Sequence, residues 1–120
     1  MKTEGIELIG KSIDSTTSFL SFKVGADLSM TLNDSITHPL LQLLNNWALS
    51  EYFRDNFKAQ DSVEYMKNEI LFLEPLVEGE IFYIELDELK NTGLLIYLET
   101  YIYDVKNKLL AKGLTAALTV

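Results

Sequence analysis

Apolar and polar residues alternate between Ile6 and Val24, where Phe19, Ser21 and Lys23 fall between Leu20, Phe22 and Val24. A period of two belongs to a half-buried strand. The β-branched and aromatic content predicts two short strands here, with a turn near Asp14 and Ser15. Gly25 to Thr37 reads as a loop in which Asn33, Asp34 and Ser35 are turn formers. The period then changes. Thr37 or His38 can cap a helix whose first turn holds Pro39 and which runs to about Asn56. Its first half is apolar on most sides, through Leu40, Leu41, Leu43, Leu44, Trp47, Ala48 and Leu49. Gln42, Asn46 and Ser50 stand at i, i+4 and i+8, so they form one polar stripe. Beyond Glu51 the helix turns polar, with Arg54, Asp55, Asn56 and Lys58, as for an end emerging into water.

After Asp61 the pattern is again that of strands. Ile70 to Leu73 leads to Glu74-Pro75, where proline cannot donate to a ladder. Glu78-Gly79 is a turn, Ile81 to Leu86 alternates, and Lys90-Asn91-Thr92-Gly93 predicts a hairpin. In Leu94 to Tyr103, Leu94, Ile96 and Leu98 share one face, while Tyr97, Glu99, Tyr101 and Tyr103 share the other. Asp104 to Lys108 closes a second hairpin, and Leu109 to Val120 is a last strand rich in Ala and Thr. The order is two strands, one helix, four strands. A helix apolar nearly all round is a buried one, and a curved antiparallel sheet of about six strands is what can wrap it. The expectation is a single α+β domain over residues 1–120. Aromatics on the sheet's outer face suggest packing against another subunit.

Composition narrows the chemistry. The formal net charge is −8, which opposes nucleic-acid phosphate and anionic membranes as partners. With no cysteine and a single histidine, His38, the chain has no disulfide, thiolate nucleophile, zinc–sulfur site or histidine-rich metal site. The absence of cysteine fits a reducing cytoplasm. The first ten residues carry Glu4 and Glu7 and no long apolar run, unlike a signal peptide. The charge-poor stretch Pro39 to Ser50 is too short to cross a bilayer.

The stretch NEILFLEPLVEGEIFYIELDELKNTGLLIYLETYIYDVKNKLLAKGLTAALTV resembles the second half of a PaaI-like hotdog thioesterase. The likeness lies in a strand ending at an apolar-x-Pro kink, a Gly-acidic turn, two long strands, a D-x-x-x-x-L-L-A-x-G run and a small-residue final strand. In order of elements it covers nearly the whole chain. It implies a hotdog fold, one long buried helix in a curved antiparallel sheet, acting as a dimer or dimer of dimers. It also implies acyl-CoA or acyl-carrier-protein as substrate, with no cofactor beyond the coenzyme A of the substrate.

In that family the chemistry sits in the loop before the helix and on its first turns. An Asn is followed by His-Gly-Gly and, about two helical turns later, an acid. This chain offers LNDSITHPLLQLLNNWA. Asn33 and His38 resemble the family's Asn and His, whereas the two glycines are Pro39 and Leu40. The acid's place falls at Asn45 to Trp47, where nothing ionises, and Asn46 stands in it. Asp34 is the substitute acid, placed where other hotdog thioesterases carry an Asp, with the helix dipole favouring its ionised form. The plainer reading of Asn33, Asp34 and Ser35 is a turn. Gln42, Asn45 and Asn46 either line an acyl pocket or satisfy polar groups at a dimer seam. Lys106, Lys108 and Lys112 either meet coenzyme A phosphates or keep a hairpin soluble.

Four functions follow as expectations. The first is acyl-thioester hydrolysis, with Asp34, Asn33, His38 and Asn46 as the reacting set and Gln42, Asn45, Lys106 and Lys108 holding substrate. The second is non-catalytic binding of an acyl-CoA or lipid-like ligand. Malonyl-CoA-sensing regulators of this fold carry Asn on the helix too, but behind a DNA-binding segment for which the first strand starts too early here. Dehydratase chemistry and a purely structural oligomer complete the set.

Overall fold

Strand alternation and strand pairing agree along the chain. The computed structural model describes residues 5–14, 16–25, 34–56, 63–73 and 79–119, with backbone alone for 34–37. The elements are β1 (Ile6–Ser12), β2 (Thr17–Val24), α1 (Asp34–Asn56), β3 (Val63–Phe72), β4 (Ile81–Asn91), β5 (Leu95–Tyr103) and β6 (Leu109–Thr119). The strands form one antiparallel sheet in the order β1-β2-β4-β5-β6-β3. Register shifts interrupt β1 at Leu8/Gly10, β3 at Tyr65/Lys67 and β4 at Glu88/Lys90. Such bulges bend and twist a strand, which suits a sheet curled around a helix.

The inner face is read directly from register. Phe22 lies opposite Phe82, Leu20 opposite Ile84, and Ile84 opposite Ile102. All are at most 1% exposed. Leu41, Leu44, Ala48 and Leu49 of α1 complete this core, each fully buried. Trp47 joins it, with its ring centroid 5.0 Å from that of Phe22. Every large side chain so buried contributes roughly 1.5–3 kcal/mol, which is why the most apolar helix becomes the axis of the molecule.

The helix starts earlier than the sequence predicts. Its first residue is Asp34, so Thr37 and His38 are helical rather than capping, and Pro39 lies inside the helix. That proline removes one rung of the i→i−4 ladder. Asp34 and Ser35 suit a first helical turn as well as a loop, because an acidic or hydroxyl side chain favours a helix N-terminus. The expected kink at Glu74-Pro75 lies outside the described residues. β4 extends to Asn91, past the predicted Leu86, because its bulge lets pairing with β5 continue to Asn91↔Ile96. Gly79, where the sequence predicts a turn, has φ 81°, and a Cβ there would stand 2.6 Å from Val105 Cγ2. This residue must be glycine both for its backbone angle and for its neighbour.

Two polar clamps fix the second half of α1. Glu51, only 4% exposed, takes Lys11 Nζ at 3.0 Å and Arg54 on one oxygen and Trp47 Nε1 at 3.3 Å on the other. Lys11 also pairs with Asp55 at 3.0 Å. Tyr52 OH donates to Glu88 Oε2 at 2.8 Å, tying the helix to β4. Hydrogen bonds to Asp55 and then Glu51 raise the Lys11 pKa above 10.5. Burial, then the bond to Glu88, raises that of the Tyr52 phenol above 10.0. Both groups hold their protons more tightly folded than unfolded. Their contribution is therefore complete below about pH 10 and is lost as pH climbs through the folded values. Urea midpoints measured from about pH 9 to about pH 11.5 are expected to fall, and to fall less steeply in Lys11→Met and Tyr52→Phe. Parallel slopes in all three proteins would refute these assignments.

Candidate functional site

The helix meets the edge strand β3 at three levels. His38 stacks on Phe72 with ring centroids 4.0 Å apart and planes at 9°. Asn45 Nδ2 donates to Asn68 Oδ1 at 3.2 Å. Phe53 packs edge-on against Tyr65 at 5.9 Å. The levels are spaced by about 10–13 Å along either element, from the rise of a helix and of a strand. Thus α1 runs antiparallel to β3, and its start lies at the end of the sheet that holds Phe72 and, opposite it, Ala111. The β5–β6 hairpin that carries Lys106 and Lys108 is at that same end, since Leu73 N donates to Leu110 O at 2.8 Å.

The middle level is a chain of amides. Gln42 Nε2 donates to Asn46 Oδ1 at 3.1 Å, and Asn68 Nδ2 donates to the same oxygen at 3.0 Å. Asn68 Oδ1 in turn accepts from Asn45 Nδ2 and, at 3.5 Å, from Thr115 Oγ1. Ser50 Oγ donates to the Asn46 carbonyl at 3.0 Å. The predicted stripe Gln42–Asn46–Ser50 therefore exists and is joined internally. Asn46 is exposed and Asn45 is fully buried. At the inner end Asn45 Oδ1 and the Thr100 hydroxyl have no hydrogen-bond partner. Both side chains lie against Gly113, where a Cβ would come within 3.3 Å of Asn45 Oδ1 and 3.4 Å of Thr100 Cβ. Glycine in a strand here marks the close approach of other groups, namely the Asn45 amide, the Glu69 carbonyl (also 3.3 Å) and Thr100.

The other expected site residues are less assembled. Asn33 lies outside the described residues, and Asp34 is placed by its backbone alone, in the first turn of α1. The ammonium of Lys108 is 3.7 Å from the fully buried Asp104, whose Oδ1 also accepts from the backbone N–H groups of Lys106 and Lys108. Asp104 thus shapes the hairpin, and Lys106 projects from it exposed. Lys112 faces outward, pairing with Glu99 at 3.7 Å and lying 5.5 Å from the centre of the Tyr101 ring. Tyr101 donates to Glu99, and chiefly for that reason its pKa is pushed up to about 12. Glu51 has both oxygens engaged and acts as a brace. Among the described residues, no group of three His, Asp or Glu side chains is arranged to hold a metal ion.

Sequence reasoning missed Asn68, Thr115, Thr100 and Gly113. A signal for the first was present: Asn68 shares strand parity with Ile70 and Phe72, so its amide falls on the helix-facing side of the sheet, though the residue itself is exposed at the edge. Gly113→Ala is expected to push the Asn45 amide out of line with Asn68 and to destabilise the chain by roughly 1–3 kcal/mol, from overpacking. Urea denaturation measures the cost. Side-chain amide NMR shifts of Asn45 and Asn68 should move together, and a change at neither would refute the placement.

No protein-family model matches the sequence, and no curated protein matches it either. Solved structures do. PaaI of the Escherichia coli phenylacetic acid degradation operon superposes with a TM-score of 0.71 at 15% identity, covering 97% of this chain and 80% of that one. A thioesterase family protein from Silicibacter pomeroyi gives 0.65 at 16%, over 97% and 85%. The protein smu.793 of Streptococcus mutans, solved with acetyl CoA, gives 0.71 at 9%, over 100% and 92%. At such identities the shared property is architecture: the chain has the hotdog fold, a single long helix held in a curved six-stranded antiparallel sheet.

Proposed function

We propose that this chain is a hotdog acyl-thioester hydrolase acting on acyl-CoA or acyl-carrier-protein. The observation that carries this reading is the convergence at one end of the fold. Asp34 in the first helical turn, His38 on Phe72 and the lysine-bearing hairpin all lie where the helix begins. Support comes from the similar structures of a thioesterase family protein and of an acetyl CoA complex.

In the proposed reaction the Asp34 carboxylate takes a proton from water. The water oxygen bonds to the thioester carbonyl carbon, and the carbon–sulfur bond then breaks. The thiol leaves with the proton held by Asp34, and the acid product stays with the new oxygen. Backbone N–H groups of the first helical turn, which have no intrahelical acceptor, stabilise the oxyanion. Pro39 provides none. Lys106 offers a charge to the carrier's phosphates.

The second reading is a non-catalytic acyl-CoA binder. It is favoured by Asn46, which fills the place of the family acid and cannot ionise. A thiol-release assay over short, long and aromatic acyl-CoAs separates the two. Hydrolysis is expected, reduced about 100-fold or more in Asp34→Asn, as for loss of a general base. A rise in melting temperature with acyl-CoA and no thiol release would establish the binder instead.

The proposal includes a homo-oligomer assembled through β3. This edge strand of 10 residues exposes Met66 (63%) and Leu71 (62%) beside an unpaired row of backbone groups, a template for another strand. The cytoplasm is the proposed location. Sedimentation should give a mass at least twice that of one chain. Met66→Lys with Leu71→Lys should lower it while changing the stability of the fold by only about 0.5 kcal/mol. A monomer in the unaltered protein would refute the assembly.

A further inference from the structure

The face of the sheet turned away from α1 carries a groove of about 380 Å³. Two cross-strand rungs build it. Ser21, Tyr83 and Tyr103 lie side by side on β2, β4 and β5, and Phe19, Glu85 and Tyr101 form the next rung. Ser21 is the small member of the first rung, so it leaves room among the aromatic side chains. Phe19 and Tyr83 are 52% and 44% exposed, large apolar surfaces left open to solvent. Asn107 lines the groove from the β5–β6 hairpin.

The groove is acidic as well as aromatic. Glu85 lines it, and Asp87 is the next residue of β4 on the same face. A hydrogen bond to Asp87, then burial and the Asp87 charge, hold the Glu85 carboxyl above the usual carboxylate range. Burial, then the charges of Glu85 and Asp87, raise the Tyr103 phenol above its usual value, so these carboxylates act across the groove. Among the described residues no lysine or arginine pairs with Glu85 or Asp87. Elsewhere on this face the acids are matched, with Lys112 3.7 Å from Glu99 and Lys67 3.6 Å from Glu69. Two neighbouring carboxylates with no counter-charge favour a cation, and the flanking rings add their own attraction for one.

We propose that this groove receives the guanidinium of an arginine presented by a basic segment of another protein. A guanidinium is planar, offers five donors in a fork and stacks on aromatic rings, whereas an ammonium is a compact, strongly hydrated charge. Adjacent carboxylates beside ring faces match the guanidinium. A second copy of this chain does not supply it. The chain has a single arginine, Arg54, which already bonds Glu51 on α1. A twofold contact centred on the groove would also set like charges against each other. Assembly through β3 extends the sheet sideways and leaves this face open, since β5 and β6 stand between β3 and the groove. The net charge of −8 draws a basic partner from a distance. The site is independent of the acyl-thioester reading.

NMR titration of the full chain with acetyl-Gly-Arg-Gly-amide, and with its lysine and citrulline counterparts, tests this. Citrulline keeps the planar shape and lacks the charge. The arginine peptide should move the ring signals of Phe19, Tyr83 and Tyr103 saturably. It should bind about tenfold tighter than the citrulline peptide, the ratio for a hydrogen bond to a charged group, and also tighter than the lysine peptide. Glu85→Gln with Asp87→Asn removes the charge and should bring the arginine and citrulline peptides together. Ser21→Leu fills the groove, leaves the charges in place, and should weaken the arginine peptide by a similar factor.

Equal binding of the arginine and citrulline peptides, or of the arginine and lysine peptides, would overturn the proposal. So would an arginine preference that survives both variants, which would put the contact elsewhere. Agmatine binding more tightly than the arginine peptide would overturn the protein partner in favour of a free guanidinium compound. A fall in oligomer mass in Ser21→Leu, with no peptide preference in the unaltered protein, would overturn it in favour of a seam between copies.

Discussion

One constraint governs this structure: α1 is apolar on so much of its circumference that only an enclosing surface can satisfy it. Leu40, Leu41, Leu44, Trp47, Ala48, Leu49, Tyr52 and Phe53 are all buried. No single flat partner reaches side chains spread that far round a helix. The sheet answers by bending, with bulges in β1, β3 and β4, and by lining its inner face with Phe, Ile and Leu at every second position. The outward line of the helix, through Asn46 and Ser50, is the part the sheet does not enclose.

Where polar groups do enter the interior, they are tied into specific geometry. Glu51 is neutralised by Lys11 and Arg54 and steadied by the Trp47 indole. Asn45 reaches Asn68 through the space that Gly113 leaves. A buried amide of this kind adds little net stability, but it penalises any shift of α1 along β3, since sliding would strand its donors. The helix is thereby held in register against β3.

Much of this was legible in the sequence, for physical reasons. Period-two alternation in Phe19 to Val24 and in Leu94 to Tyr103 reports a sheet wet on one face. The crowded leucines after Pro39 report a buried helix. The helix start was harder, because Asp34 and Ser35 serve equally well in a turn and in a first helical turn, and a proline five residues later argues for a later beginning. The site was legible only on its helical side. Gln42 and Asn46 announce one another by spacing, whereas their partner Asn68 is 22 residues from Asn46, and no local pattern links two residues that meet through tertiary packing. The close packing of Asn45, Thr100 and Gly113 was likewise beyond reach from sequence, since three separate elements bring them together.

The sheet order carries a consequence for how the chain is made. β3 is paired with β6 alone, and β6 is synthesised after every other described element. On a ribosome, β1, β2, β4 and β5 can pair in sequence as they emerge, but β3 has no strand to join until β6 follows. Through that interval its apolar residues and the adjoining face of α1 are uncovered, the condition in which nascent chains recruit chaperones or pair wrongly with one another. The acidic balance of the chain then has a second use, since like charges slow the approach of two unfinished copies. The strand that gains its place last in the monomer is the one left at the edge, so assembly into an oligomer would complete the same zipper that folding began.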